Sequence, residues 1–127
     1  MGARYIFNIT GGTIQGPKIN GTLVAPSGDW GMPMPDGGYR LDVRASIKTN
    51  DGEFIFVEYN GVVVASKEVN DRYLKSDVVT AKEQYFFSAP TFTTESNNYD
   101  WLNKVQVVGK MVDVSTKGVK YDLFIVR

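Results

Sequence analysis

The chain has 127 residues, 43% of them hydrophobic and 22% charged, which indicates one ordinary globular domain over residues 1–127. Fourteen Lys and Arg balance fourteen Asp and Glu, so the net charge is zero and neither nucleic acid nor an anionic membrane is an expected partner. Cysteine and histidine are absent from the sequence, which excludes disulfides, thiolate nucleophiles, Ser-His-Asp triads and Cys- or His-ligated metals.

The first third of the chain is predicted to be extended but interrupted. Alternating residues predict a strand over 4–10, which Gly11-Gly12 ends, and a second extended segment carries Ile14, Ile19 and Leu23. Residues 25–38 are rich in glycine and proline, a composition that predicts an irregular loop.

A β-meander is predicted next. Tyr39 to Thr49 alternates cleanly between apolar and polar residues, and Asn50-Asp51-Gly52 is a strong hairpin signal leading into a partner strand over 53–59. Asn60-Gly61 predicts a second hairpin, into a short strand at residues 62–64.

The remaining elements include the one predicted helix. Apolar residues at helical spacing after Ser66, a plausible N-cap, predict a short amphipathic helix. Strands are predicted over 84–88, which stops near Pro90, and over 91–94, 101–114 and 119–126. Eight or nine strands joined without crossover helices predict an all-β fold, an antiparallel β-barrel with one short helix.

Asp42 and Arg44 are candidate catalytic residues, because they lie two apart and share one face of the predicted strand 39–49. If that face lines the barrel, Asp42 would move a proton and Arg44 would bind an oxyanion. The alternative is a solvated strand face with an incidental ion pair.

Asp29 and Trp30 form a second candidate, inside the glycine- and proline-rich segment. Asp29 would serve as a general acid or base in an apolar mouth, and Trp30 would shape the cavity. The alternative is an Asx turn followed by an aromatic plug.

Aromatic residues are numerous enough to line a ligand pocket. Tyr85 is a further catalytic candidate, and the predicted ligand contacts are Tyr59, Phe87, Trp101 and the amide of Asn103. Plain core packing is the alternative. No calcium-loop spacing or P-loop is present in the sequence, so neither a metal nor a cofactor is expected.

Several short motifs resemble the DUF3237 family, also called UPF0311. They occur in family order along nearly the whole chain: residues 9–16 (ITGGTIQG), 29–30 (DW), 41–44 (LDVR), 49–52 (TNDG), 85–86 (YF) with Pro90 and Phe92, 101–103 (WLN) and 108–109 (VG). The family is similar in shape to allene oxide cyclase and dirigent barrels. It often has Arg where this chain has Phe87 and Glu where it has Thr93, which implies a more apolar pocket here.

The sequence and the resemblance together favour a barrel that binds a small organic molecule. The activity expected of it is that of a cofactor-independent isomerase, cyclase or lyase acting on an apolar carbonyl compound. The alternatives are a non-catalytic, dirigent-like binding protein and a self-assembling structural module. The family usually has a further strand before the ITGG segment, so a neighbouring subunit is expected to cover the gap and a homodimer or larger oligomer is expected. No secretory signal is visible at the start of the sequence, so cytoplasmic localisation is expected.

Overall fold

The computed structural model describes residues 7–8, 11–35, 38–116 and 118–126. Only Phe7 and Asn8 of the strand predicted over 4–10 fall within these residues. The strands are β1 Phe7–Asn8, β2 Thr13–Gln15, β3 Asn20–Asp29, β4 Met32–Pro33, β5 Tyr39–Thr49, β6 Phe54–Val64, β7 Val79–Thr80, β8 Tyr85–Thr93, β9 Gln106–Ser115 and β10 Gly118–Val126. The helices are α1, Lys67–Leu74, and a 3₁₀ helix, Asp100–Lys104.

All strands belong to one antiparallel sheet with the order β1-β3-β5-β6-β8-β9-β10, to which β2, β4 and β7 add short pairings. The sheet curls into a half-barrel, which confirms the predicted all-β class with one short α-helix. Within the described residues no pairing joins β10 to β1 or β2 at the other end of the order. We call the gap between these two ends the seam.

The alternation of β5 fixes the inner and outer faces of the sheet. Leu41, Val43, Ala45 and Ile47 are all buried, whereas Arg44 between them is exposed. Burying the aliphatic row removes apolar surface from water, and the polar row is then forced outward by the two-residue period.

Two apolar clusters fill the inner side. One gathers around Ile55 and is closed by the 3₁₀ helix through Leu102. The other gathers around Met111 and is closed by α1 and β7, with Val79 fully buried. Tyr59 packs against both clusters, and we call the zone between them the waist.

The second predicted hairpin is wrong, because β6 runs straight through Asn60-Gly61 to Val64. Gly61 lies at the centre of the sheet, where a Cβ atom would stand 2.9 Å from both Leu41 Cδ1 and the Phe87 carbonyl oxygen. Glycine is present here because neighbouring groups occupy the side-chain space, not because the chain turns.

The loop prediction for residues 25–38 is also wrong in part. β3 continues to Asp29 across a register shift between Val24 and Gly28. The Ser27 hydroxyl bridges this irregularity, since it donates to the Val24 carbonyl at 2.8 Å and accepts from the Ser46 N–H at 3.3 Å. A bulge therefore allows this proline-containing segment to remain part of β3, and Asp29 is the last residue of that strand.

β8 also continues where a break was predicted, through Pro90. The pairing of β8 with β9 consists of Phe87↔Lys110 and Ser88↔Gly109 and does not include Pro90. Proline has no backbone N–H, and no hydrogen bond to β9 is therefore lost at this position. The Gln106 side-chain amide instead donates to the Pro90 carbonyl at 3.0 Å.

The predicted helix and its cap are confirmed: the Ser66 hydroxyl accepts from the Val69 N–H at the start of α1. Neither helix in the described part of the chain combines the length and apolar character needed to span a membrane.

Candidate functional site

Asp29 lies at the end of β3 opposite Val43, which places it on the inner face. Its carboxylate accepts from the Asp42 N–H at 3.1 Å. Partial burial raises the pKa of the Asp29 carboxyl; the Asp42 hydrogen bond opposes this and the negative charge of Asp42 adds to it. A half-buried carboxylate of this kind is a stronger base than one in water.

Tyr59 and Tyr121 meet across the waist. Their rings make an edge-to-face contact with centroids 5.8 Å apart. Burial raises the pKa of both hydroxyls, and the nearby charge of Asp29 raises it further. Both phenols therefore stay protonated as hydrogen-bond donors. We call Asp29, Tyr59 and Tyr121 the waist cluster.

The wall beside the waist cluster is built of small residues. Gly61, Ser88 and Gly109 are neighbours across β6, β8 and β9. The Ser88 hydroxyl is buried and has no hydrogen-bond partner among the described residues. At the seam, Leu123 of β10 belongs to the inner row yet is 40% exposed, so this end of the waist is open to solvent.

Asp42 and Arg44 lie on the outer face, so the expectation that they line the interior is wrong. The Arg44 side chain is 55% exposed, its Nε stands 3.9 Å from Asp42 Oδ1, and its guanidinium lies 5.4 Å from the centre of the Trp30 ring. Leu41 and Val43 occupy the inner positions instead. Asp42 and Arg44 border an open, polar hollow of about 450 Å³, lined also by Glu58, Tyr59, Asn60, Ala89, Thr91 and Gln106.

Tyr85 and Phe87 also lie on the outer face, opposite Val64 and Val62 of β6. Their rings contact each other with centroids 4.8 Å apart, and Tyr85 is 56% exposed. The strand period separates both rings from the waist cluster, which lies on the other side of the sheet.

Trp101 and Asn103 belong to the 3₁₀ helix and do not join the waist cluster. Trp101 packs against the apolar cluster around Ile55. The Asn103 side chain accepts from the Thr94 N–H at 2.8 Å and donates to the Thr94 carbonyl at 2.9 Å. Asn103 therefore fastens the helix to the end of β8.

Replacing Asn103 with Ala is expected to lower the free energy of unfolding by about 1–3 kcal/mol, because two backbone groups of Thr94 lose their partner. Urea denaturation measures this effect, and Asn97→Ala in the neighbouring exposed loop is the control. Equal stability of the two variants would contradict this structural role.

Two of the nine site residues predicted from sequence, Asp29 and Tyr59, thus come together. Tyr121 and Ser88 were missed. The alternation of Tyr121, Leu123 and Ile125 indicates that Tyr121 lies on the inner face of the last strand, but it does not show that Tyr59 lies opposite.

In the described part of the chain, no three His, Cys, Asp or Glu are grouped as metal ligands would be.

Comparisons with known proteins agree with this architecture. The family model described as "Protein of unknown function (DUF3237)" matches residues 1–126. A UPF0311 protein of Clostridium acetobutylicum is 30% identical over 102 residues, which are 80% of this chain and 65% of that protein. A UPF0311 protein of Rhodopseudomonas palustris is 30% identical over 108 residues, 85% of this chain and 71% of that protein. The chain thus spans about two thirds of the length of these relatives.

Several solved structures are similar to this chain. A conserved protein of unknown function from Rhodopseudomonas palustris has a TM-score of 0.91 at 28% identity, covering 99% of this chain and 82% of that one. A "beta-barrel like protein" from Acinetobacter baumannii has a TM-score of 0.80 at 29% identity, covering 98% and 78%. A protein described as an enzyme, from Penicillium herquei, has a TM-score of 0.57 at 26% identity, covering 86% and 73%.

Proposed function

The chain belongs to the DUF3237 family of proteins of unknown function, and we propose that it binds a small organic molecule at the waist cluster and catalyses proton transfer next to a carbonyl group. The observation that carries this proposal is the placement of a half-buried carboxylate, Asp29, on the inner face, where its charge acts on the contacting rings of Tyr59 and Tyr121. The similar structure described as an enzyme supports catalysis on this architecture.

The proposed reaction needs no cofactor. Asp29 accepts a proton from the carbon next to the carbonyl, the C–H electron pair forms a C=C bond, and the carbonyl π electrons move to oxygen. A tyrosine hydroxyl hydrogen-bonds the resulting enolate oxygen and lowers its energy. Where a C=C bond is conjugated to the enolate, Asp29 then returns the proton to the far carbon of the conjugated system. Where the β-carbon carries a leaving group, the carbonyl re-forms, a C=C bond forms between the α- and β-carbons, and the leaving group departs with the proton from Asp29. These two outcomes correspond to isomerisation and elimination.

Non-catalytic binding is the second candidate, favoured by the apolar character of the inner walls above and below the waist. A pH–rate profile separates the two functions. Catalysis by Asp29 requires a rate that rises as this carboxyl ionises, at a pH above that of an ordinary aspartate because the pKa is raised.

Solvent deuterium exchange tests the catalytic proposal. The α-protons of 2-tetralone, a neutral ketone, are followed by proton NMR in D₂O, and the protein is expected to accelerate their exchange. Tyr59→Phe should slow this exchange about tenfold or more, because it removes a hydroxyl from the enolate. Tyr85→Phe is the matched control on the outer face and should leave the rate unchanged.

Two results would contradict the proposal. The first is exchange no faster than in buffer containing an equal concentration of acetate. The second is equal sensitivity to Tyr59→Phe and Tyr85→Phe, which would place the activity outside the waist cluster.

A further inference from the structure

We infer that the waist cluster selects an uncharged carbonyl compound built on a flat ring and rejects carboxylates and phosphates. This inference rests on the proposed function and names its substrate class. It follows from where the charges of the molecule lie and from the shape of the walls around Tyr59.

The positive charges of the described chain are all on its exterior. Every Lys and Arg within the described ranges has an exposed side chain: Lys18, Arg40, Arg44, Lys48, Lys67, Arg72, Lys75, Lys82, Lys104, Lys110 and Lys120. Arg44 is the cation that sequence reasoning placed inside, but it lies behind the sheet and over Trp30.

The charge of the waist cluster is negative. Asp29 is its one carboxyl group, and the charge of the ionised carboxylate already opposes ionisation of Tyr59 and Tyr121. A bound carboxylate would give up its hydration beside this like charge without gaining an ion pair in return. A neutral carbonyl oxygen would instead accept a hydrogen bond from a tyrosine hydroxyl and avoid that cost.

The walls favour a flat ring. Within the cluster Tyr121 meets Tyr59 edge-on, with centroids 5.8 Å apart, and beyond it Tyr121 meets Phe86 edge-on at 5.7 Å, so aromatic surface continues from the cluster to Phe86. Planar rings pack well against such edges.

A matched pair of probes tests the inference. 2-Acetylnaphthalene and 2-naphthoate share a ring system and nearly the same shape, but only the second carries a charge. Dissociation constants are measured by NMR titration of the purified protein at neutral pH. The ketone is expected to bind at least tenfold more tightly than the carboxylate, which corresponds to about 1.4 kcal/mol.

Two variants locate the source of this preference. Asp29→Asn removes the negative charge of the cluster and is expected to strengthen naphthoate binding until the preference falls below about threefold. Glu58→Gln removes one charge from the outer face and should leave the preference unchanged.

The outcomes separate this inference from the proposed function. If naphthoate binds as tightly as the ketone while Tyr59→Phe weakens both, the waist is the site and only the charge selection is wrong. If neither compound binds and Tyr59→Phe does not alter tetralone exchange, the inference and the proposed function are both wrong.

Discussion

Asp29→Asn is expected to slow ketone deuterium exchange by about 10²–10⁴-fold, because the amide cannot accept the proton that the carboxylate takes. The amide oxygen can still accept from the Asp42 N–H, so the end of β3 should keep its position. Asp42→Asn is the matched control, since its side chain lies on the outer face, and its effect should be less than threefold. A fully active Asp29→Asn variant would show that another group moves the proton.

The same substitution is expected to stabilise the fold near neutral pH. Burial raises the native pKa of Asp29 above its ordinary value of 3.8, so the folded chain holds this proton more tightly than the unfolded chain does. The stability this provides is complete below the unfolded pKa and is lost as pH rises through the raised native value. Asn has no charge to desolvate, so the variant should gain stability over wild type across this window. Solvent reaches Asp29, which limits the gain to a few tenths of a kcal/mol, up to about 1 kcal/mol.

Thermal melts of both proteins between pH 3 and pH 7 measure this difference. The melting temperatures should move apart as pH increases, with the variant higher at neutral pH. A variant less stable than wild type at neutral pH would contradict this prediction. It would mean that the ionised carboxylate stabilises the fold by holding the end of β3 in place.

Gly21→Ala is expected to have the largest effect on stability, lowering the free energy of unfolding by about 2–4 kcal/mol. A Cβ at position 21 would lie 2.6 Å from the Lys48 carbonyl oxygen and 2.9 Å from the Thr49 Cα. Both are backbone atoms of β5, so they cannot rotate away and the two strands must separate.

Gly11→Ala is the matched control, because a Cβ at position 11 has no described atom within 4 Å. Urea denaturation should show a clear shift of midpoint for Gly21→Ala and a shift within about 0.5 kcal/mol for Gly11→Ala. Equal stability of the two variants would show that β3 and β5 do not pair as closely as in this structure.

Elements with strong local signals could be predicted from sequence. β5 begins and ends at Tyr39 and Thr49 as predicted, because strict alternation and a following Asn-Asp-Gly turn agree with each other. α1 follows its Ser66 cap for the same reason. Predictions failed at Asn60-Gly61 and at Pro90, where a residue typical of turns is held inside a strand by contacts with its neighbours. Local chemistry does not encode those contacts.

In the candidate site, too, some features follow from local sequence and others depend on tertiary contacts. The sequence by itself determined the all-β class, the two chemically distinct faces of β5 and the choice of a carboxylate or a phenol as proton carrier, since cysteine and histidine are absent. The tertiary structure alone decided that the aliphatic face turns inward with Asp29, leaving Arg44 outside, and that Tyr59 meets Tyr121 across 62 positions of sequence. A period of two residues fixes which side chains share a face. Which face is buried, and what lies opposite it, depends on the closure of the whole sheet.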